Sequence, residues 1–273
     1  MELYTRTSYQ LARQLTLNYS TSFSKSSQLF DKSIRQHIFA IYGLVRVADE
    51  IVDTYAGSNC EPILNELEQH TMQSLESGFS PNPLVHAFVT TAKEFGITAE
   101  LIQPFFESMR MDVTPQDYSQ ALYEKYIHGS AEVIGLMCLR VFCNNDTKYQ
   151  QLASGAMALG SAYQKVNFLR DMKADYDERG RVYFPGVSFE TFNDEQKDVI
   201  INDIQKDFES AREAVKKLPR PARRAVSLSF DFYSALLHKL ERTPANKIKA
   251  ERIRISNVKK LQIFLAHSKA GAA

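Results

Sequence analysis

Two pairs of aspartates, each pair four residues apart, are the clearest chemical signal in the sequence. The first pair is Asp49 and Asp53, and the second is Asp171 and Asp175. On a helix, residues four apart lie on one face, so each pair presents two carboxylates side by side. Two like charges 4 Å apart repel by about 1 kcal/mol in water and by about 4 kcal/mol at an effective dielectric constant of 20. A buried pair therefore needs a counter-ion.

A divalent cation is the counter-ion that this arrangement favours. Magnesium binds one or two carboxylates and completes an octahedral shell with water and substrate phosphates. Two facing stripes of aspartates would hold several Mg²⁺ ions, with Mn²⁺ as an alternative, and the ions would hold a diphosphate. The competing interpretation is a pair of solvated surface acids, which is common for a single Asp-x-x-x-Asp. Its repetition on two apolar segments argues against that interpretation.

Other polar residues extend both stripes at helical spacing. Tyr42 and Arg46 precede the first pair, and Gln164 and Asn167 precede the second. The planar fork of arginine suits diphosphate oxygens, because it can bind two of them at once. Each basic residue could instead be a simple counter-ion for an acid. The basic residues that cluster around the aspartates in sequence are Arg46, Lys165, Arg170 and Arg181.

The segments that carry the stripes are apolar nearly all round, which indicates burial. They span 38–52 and 153–172. Helical periodicity recurs between prolines along the rest of the chain, and alternating strand patterns are missing, so we predict one all-α domain over 1–273. Small residues at several helix positions indicate either close packing or space for a ligand. The predicted helices span 31–54, 62–77, 83–95, 98–112, 116–127, 130–143, 146–176, 194–217, 220–241 and 246–266.

Composition excludes several other classes of protein. The 33 basic and 32 acidic residues nearly cancel, so no nucleic-acid partner is expected. Three cysteines argue against a disulfide framework, and the histidines lack zinc-site spacing. The amino terminus lacks a signal-peptide apolar region and no run is long enough for a membrane span, which predicts a cytoplasmic protein. The basic stretch 247–260 is either a solvated helix face or a peripheral contact with anionic lipid.

Five segments resemble the squalene/phytoene synthase family, and their details are most similar to its bacterial phytoene synthases. The most specific is QKVNFLRDMKADYDERGRVYFP at 164–185. The others are NYSTSFSKSS at 18–27, AIYGLVRVADEIVD at 40–53, YIHGSAEVIGLM at 126–137 and ERIRISN at 251–257. The resemblance covers most of the chain. It implies an isoprenoid-synthase-type helical bundle around a central cavity.

The resemblance also implies roles for individual residues. Thr21 replaces a basic residue that some family members carry in the flap over the diphosphate. The implied metal ligands are Asp49, Asp53, Asn167, Asp171 and Asp175. The implied catalytic set is these four aspartates with Arg46 and Arg170. The expected substrate-binding residues are Ser20, Ser22 and Phe23 of the flap, with Tyr42, Arg46, Gln164, Arg170, Arg181 and Tyr233.

The activity that the resemblance implies is a magnesium-dependent, head-to-head prenyl transfer. Two geranylgeranyl diphosphates would give phytoene through a cyclopropyl diphosphate, without NADPH, as a step of carotenoid biosynthesis. Dehydrosqualene or squalene synthesis from farnesyl diphosphate uses the same carboxylates and is the nearest alternative. An inactive scaffold homologue and a terpene cyclase with one substrate are more distant alternatives. The base that removes the protons stays open, and the released diphosphate is one candidate.

Overall fold

The computed structural model describes residues 1–19, 26–55, 60–113, 118–143 and 145–270, with side chains described as far as His267. Within these ranges all regular structure is helical, so the predicted all-α fold is confirmed. The helices are α1 (Glu2–Tyr19), α2 (Lys32–Asp49), α3 (Cys60–Ser77), α4 (Pro83–Phe95), α5 (Ala99–Met111), α6 (Gln120–Ile127), α7 (Val133–Phe142), α8 (Asp146–Arg179), α9 (Asp194–Lys217), α10 (Arg220–Glu241), α11 (Ala245–Ile248) and α12 (Asn257–Ala270).

Local sequence fixes the ends of the two helices that carry the aspartates. The carboxylate of Asp31 caps α2 by accepting from the Ser33 amide at 2.9 Å. The side chain of Asn145 caps α8 by accepting from the Lys148 amide at 2.7 Å. Helix α8 then continues for 34 residues and ends at Gly180, whose φ of 63° is left-handed. Its second aspartate pair therefore lies in the last turns before that glycine.

Two π-helical turns interrupt the regular pattern. One, Glu50–Thr54, continues α2, and the other, His128–Glu132, joins α6 to α7. π-helical turns are rare and occur frequently at functional sites. The first of them contains Asp53, so the first aspartate pair crosses from an α-helix into a π-turn.

The other helices of the hydrophobic core are arranged around the long helix α8. One apolar cluster runs from α2 through α11, and α8 packs against both α9 and α7. A smaller cluster joins α1 to α2 and α4, and its buried members are Tyr9, Ala12, Phe39, Ala40 and Ala87. Within the described ranges, no helix combines the length and apolarity that crossing a bilayer requires.

Close packing explains small residues on α7 and α8. A Cβ added at Gly160 would lie 2.5 Å from the Ala131 carbonyl oxygen of the second π-turn. One added at Gly135 would lie 2.7 Å from the Ala156 carbonyl oxygen. Both glycines also line the central cavity described below. The two interpretations of the small residues therefore apply together at these positions.

Two helix predictions differ from the structure. The predicted helix 246–266 is wrong, because the chain leaves helix after Ile248 and re-enters it at Asn257. The intervening segment buries Ile253, which is 3% exposed. Helix α1 was absent from the predicted set, since its buried seam consists largely of Ser8, Ala12 and Thr16, which give little apolar periodicity.

Candidate active site

A cavity of about 1060 Å³ lies at the centre of the bundle and receives both aspartate pairs. This volume is at the upper end of the range for small-molecule sites, about 300–1,000 Å³. Asp49, Asp53, Asp171 and Asp175 keep between 13% and 34% of their side chains exposed, so the acid end is reached by solvent. The remainder of the wall is largely apolar, including Phe30, Ile38, Phe105, Ile134, Leu139, Phe142, Leu159, Val226 and Leu236.

One arginine connects the two aspartate pairs. Arg179 Nη2 lies 3.4 Å from Asp53 Oδ2, and Arg179 Nη1 lies 3.1 Å from Asp175 Oδ1. Because one guanidinium reaches a carboxylate from each pair, the π-turn after α2 and the end of α8 belong to one site. The facing arrangement that the sequence predicted is therefore present.

The carboxylates of the site are electrostatically unfavourable on their own. Burial raises the pKa of Asp49 to about 7, and the charge of Asp53 adds to the rise. Burial likewise raises the pKa of Asp175 to about 7, with a further contribution from Asp171. An added cation would favour the charged form of both groups. This donor set of crowded, partly buried oxygens fits a hard divalent ion.

The described residues supply no complete metal cage by themselves. No group of three or more His, Cys, Asp or Glu side chains in these ranges is close enough to hold one ion. Magnesium commonly uses one or two carboxylates and takes its other ligands from water and substrate phosphates. The two aspartate pairs therefore fit ions that bind together with a diphosphate.

Besides Arg179, three arginines lie beside the carboxylates at the cavity wall. Arg46 pairs with Glu50, lies 3.9 Å from Asp49, and keeps a buried Nε without a hydrogen-bond partner among the described residues. Arg170 donates from Nε to Asp171 Oδ1 at 2.9 Å. Arg252 approaches the same oxygen at 2.7 Å. These guanidinium groups give the acid end donors suited to phosphate oxygens.

Tyrosine and amide side chains complete the polar end. Tyr233 donates to Asn167 Oδ1 at 3.3 Å, and its ring stacks on Tyr163 with centroids 4.0 Å apart. Tyr42 and Gln164 also line the cavity. Burial raises the pKa of Tyr42, so its hydroxyl stays protonated and can donate a hydrogen bond.

The structure sets two of the basic residues apart from the cavity wall. Arg181 is 7% exposed and binds Asp112 at 3.2 Å, so it lies behind Asp53, which is 3.6 Å away. Lys165 points toward α9 and pairs with Asp203 and Asp207 at 2.6 and 2.8 Å. The interpretation of Lys165 as part of the basic cluster around the aspartates is therefore wrong. Ser20, Ser22 and Phe23 of the expected flap lie outside the described residues.

Sequence reasoning missed three residues of the site. Arg179 follows Asp175 by four residues, so the helical spacing that revealed the aspartates also points to it. Arg252 lies in the ERIRISN segment at 251–257, for which the resemblance gave no residue role. Asp112 lines the cavity and accepts from Tyr126 at 2.7 Å, yet nothing local in the sequence distinguishes it.

Comparison with known proteins identifies the family. The model of the squalene/phytoene synthase family matches residues 16–259. The chain belongs to the squalene/phytoene synthase family. Members of this family are prenyltransferases that use prenyl diphosphates and generally depend on a divalent metal, so the chain is a prenyltransferase.

Several relatives are similar over most of the chain. A phytoene synthase of Arthrospira platensis is 31% identical over 243 residues, which cover 84% of this chain and 76% of the relative. A 15-cis-phytoene synthase of Synechocystis is 29% identical over 262 residues, covering 85% and 76%. Among solved structures, a dehydrosqualene synthase in complex with ligand has a TM-score of 0.83 at 19% identity, covering 97% of both chains. This last likeness confirms the isoprenoid-synthase-type fold.

Proposed function

We propose that the protein is a phytoene synthase that condenses two geranylgeranyl diphosphates head to head. The observation that carries the proposal is a single large cavity with crowded carboxylates and arginines at one end and an apolar wall beyond them. A long allylic diphosphate matches both halves, with its charged head among the polar groups and its hydrocarbon chain in the apolar part. The similarity to phytoene synthases over most of the chain supports this substrate class.

The metal ligands in this proposal are Asp49, Asp53, Asn167, Asp171 and Asp175. Mg²⁺, or Mn²⁺ in its place, would neutralise the charge of the departing diphosphate. We infer that these carboxylates act as ligands and not as general bases. Each of the four aspartates belongs to a pair of acids and lies near a guanidinium group. This assignment predicts that chelation of divalent ions abolishes turnover.

The arginines and tyrosines of the wall have complementary roles. Arg46 and Arg170 would bind the diphosphate oxygens and stabilise the leaving anion, which favours ionisation of the allylic substrate. Tyr42 and Gln164 would orient the diphosphate, and Tyr233 would hold Asn167 in place through their hydrogen bond. The apolar wall excludes water from the allylic and cyclopropylcarbinyl cations, which water would otherwise capture.

Two half-reactions follow from this arrangement. In the first, loss of diphosphate from one substrate lets the double bond of the other attack, and loss of a proton closes a cyclopropyl diphosphate. In the second, this intermediate loses its diphosphate, the skeleton rearranges, and loss of another proton gives the conjugated triene of phytoene. No reductant enters this balance, so the reaction should proceed without NADPH.

A product assay with the purified protein tests the proposal. Incubation with geranylgeranyl diphosphate and MgCl₂, without a reductant, should give phytoene detectable by its absorbance and mass. Farnesyl diphosphate in a parallel reaction tests the nearest alternative. Conversion of farnesyl diphosphate alone would replace the proposal with dehydrosqualene synthesis. A cyclic product from one substrate molecule would indicate a terpene cyclase instead.

A pair of variants separates an enzyme that uses this cavity from an inactive scaffold. Asp49→Ala and Asp171→Ala should each lower turnover by about 100-fold or more, because they remove transition-state stabilisation of the leaving group. Unchanged turnover in both variants would move the chemistry to a different site.

We further propose that α12 makes a peripheral contact with anionic lipid. Val258, Leu261 and Leu265 lie at helical spacing and are 67%, 57% and 49% exposed. Lys259 and Lys260 lie between Val258 and Leu261 in the sequence, and Lys260 also lines the cavity. Exposed apolar residues beside lysines suit an anionic membrane surface, which would bring the cavity close to the layer that dissolves its substrate. A cytoplasmic location remains a prediction.

A further inference from the structure

Arg179 is the last residue of α8 and contacts acids from both aspartate pairs. Its two terminal nitrogens lie 3.4 Å from Asp53 and 3.1 Å from Asp175. Its side chain is 26% exposed and lines the cavity. Gly180, the next residue, ends the helix. The guanidinium therefore sits between two elements that are far apart in sequence, at the position where both aspartate pairs meet.

Arg179 places its positive charge between two carboxylates, where a bound cation would otherwise lie. Two carboxylates from different elements face each other across the Arg179 guanidinium, and Asp53 also lies 3.6 Å from Arg181. A divalent ion bound to the same oxygens would repel the guanidinium, since a doubly charged cation and a fixed positive charge would lie within a few ångströms of each other in a partly buried site. The ion and Arg179 therefore cannot both keep these contacts.

The neighbouring Arg181 differs from Arg179, because most of its partners are not proposed metal ligands. It is buried, and it donates to the Asp112 backbone carbonyl and to the Tyr183 hydroxyl. It also lies 3.2 Å from the Asp112 carboxylate. Arg179 has ion pairs only with the two proposed metal ligands among the described residues. If those ligands take up an ion, its five N–H donors need another acceptor.

We propose that Arg179 is a resident counter-ion that exchanges places with the divalent metal. In the metal-free protein it holds Asp53 and Asp175 together and offsets their repulsion. When the ion and the diphosphate bind, the guanidinium releases the carboxylates and binds the diphosphate oxygens, which supply the acceptors that it has lost. This inference rests on the proposed metal site and assigns a positioning role to Arg179 before the substrate arrives.

Manganese binding without substrate tests the exchange directly. Free Mn²⁺ would be measured by electron paramagnetic resonance during titration of the wild-type protein, Arg179→Gln and Arg179→Lys. Arg179→Gln should bind Mn²⁺ about tenfold more tightly than wild type, because the competing charge is gone. Arg179→Lys, which keeps the charge, should stay within about threefold of wild type.

Inorganic pyrophosphate should reverse the order of the affinities. In its presence Arg179→Gln should bind Mn²⁺ less tightly than wild type, since the variant lacks the guanidinium that holds the diphosphate in the ternary complex. Lys173→Gln is a matched control, because Lys173 is on the same helix and pairs with Asp177 at 2.5 Å. Its affinities with and without pyrophosphate should equal those of the wild type.

The outcomes separate this inference from the function on which it rests. Weaker or unchanged Mn²⁺ binding by Arg179→Gln without pyrophosphate overturns the counter-ion role and leaves the metal site intact. Absence of Mn²⁺ binding by the wild type, even with pyrophosphate, overturns both the metal site and the exchange. Melting in EDTA gives an independent readout, in which Arg179→Gln should unfold at a lower temperature than Lys173→Gln.

Discussion

Individual acidic side chains at the polar end of the cavity lower the stability of the folded protein and suit it to bind a cation. Asp49 and Asp175 sit where burial and neighbouring carboxylates raise their pKa values to about 7. Their ordinary value is 3.8. A residue that is costly in the free protein and favourable once a cation binds is typical of a functional site. The cost should be measurable as a function of pH.

Asp49→Asn should stabilise the metal-free protein at high pH while lowering turnover by about 100-fold or more. The folded state holds the Asp49 proton to a higher pH than the unfolded state does, so wild-type stability falls as the pH rises from about 4 to 7. Asparagine carries no charge, so the stability of the variant does not fall for this reason over the same pH range. In EDTA at pH 8 the variant should melt about 3 °C higher, equivalent to about 1 kcal/mol in a chain of this size.

The gain from Asp49→Asn should vanish near pH 4, where the wild-type carboxyl is protonated in both states. Calorimetry across pH 4 to 8 in EDTA measures the difference between the two melting temperatures. A variant that melts lower than wild type at pH 8 would show that the ion pair with Arg46 outweighs burial and repulsion at this position.

The buried pair behind Asp53 makes a second prediction at the residue scale. Arg181→Gln should destabilise the protein by about 3 kcal/mol, because it leaves the Asp112 carboxylate buried without its charged partner. Lys216→Gln is the control, since Lys216 and Glu213 form an ion pair in which both side chains are more than 60% exposed. It should change the free energy of unfolding by less than about 0.5 kcal/mol. Urea unfolding compares the two, and equal losses would contradict a structural role for Arg181.

At the residue scale, the sequence could predict which side chains lie together where those residues share one helix. The aspartate pairs and Arg179 follow helical spacing, so their common face can be read directly from residue numbers. Asp112 and Arg181 are 69 positions apart, and only the tertiary fold brings the residue after α5 next to the segment after α8. No local pattern encodes a contact of that kind, which is why Arg181 was expected at the diphosphate instead.

At the scale of elements, the approach of α8 to the second π-turn depends on a missing side chain. Gly160→Ala should destabilise the protein by more than about 2 kcal/mol, because the new Cβ would meet the backbone of Ala131 at 2.5 Å. Gly43→Ala is the matched control within α2, where the nearest atom to a new Cβ is 3.4 Å away. Alanine has the higher helix propensity, so that change should be neutral or stabilising by up to about 1 kcal/mol.

Thermal unfolding of the two glycine variants measures the difference. Similar melting temperatures would mean that α8 can shift away from the π-turn at little cost. Because Gly160 also lines the cavity, turnover of Gly160→Ala should fall as well, and an active but less stable variant would limit the role of the glycine to packing.

The elements that sequence could not predict are those whose form is set by tertiary contacts. Segment 249–256 has enough apolar and basic residues to continue a helix, yet it opens so that Ile253 and Ile255 reach the cavity. Helix α1 buries small and polar residues against α2 and α4 and therefore lacks an apolar stripe. The π-turn at Glu50–Thr54 likewise has no signal in the helical pattern around it.

At the scale of the whole molecule, α12 and the segment before it lie beside the central cavity. The segment before α12 lines the cavity through Arg252, Ile253, Arg254 and Ile255, and Lys260 of the helix itself joins them. Exposed Leu261 and Leu265 lie on the same short helix. A bilayer that binds α12 would therefore lie close to these cavity-lining residues.

Vesicle binding tests this relation between surface and cavity. The wild-type protein should co-sediment with vesicles containing about 30% anionic lipid at low salt, and less at high salt because screening weakens the lysine contribution. The double variant Leu261→Gln, Leu265→Gln should bind about tenfold more weakly, since it removes the exposed apolar surface of α12.

A second double variant controls for the loss of exposed leucines in general. Leu3 and Leu11 of α1 are 67% and 46% exposed, close to the values on α12. Leu3→Gln, Leu11→Gln should therefore bind vesicles like the wild type if α12 is the contact. Equal weakening of both double variants would assign the binding to general surface hydrophobicity. A wild-type protein that stays in the supernatant at low salt would mean that substrate reaches the cavity without a membrane contact.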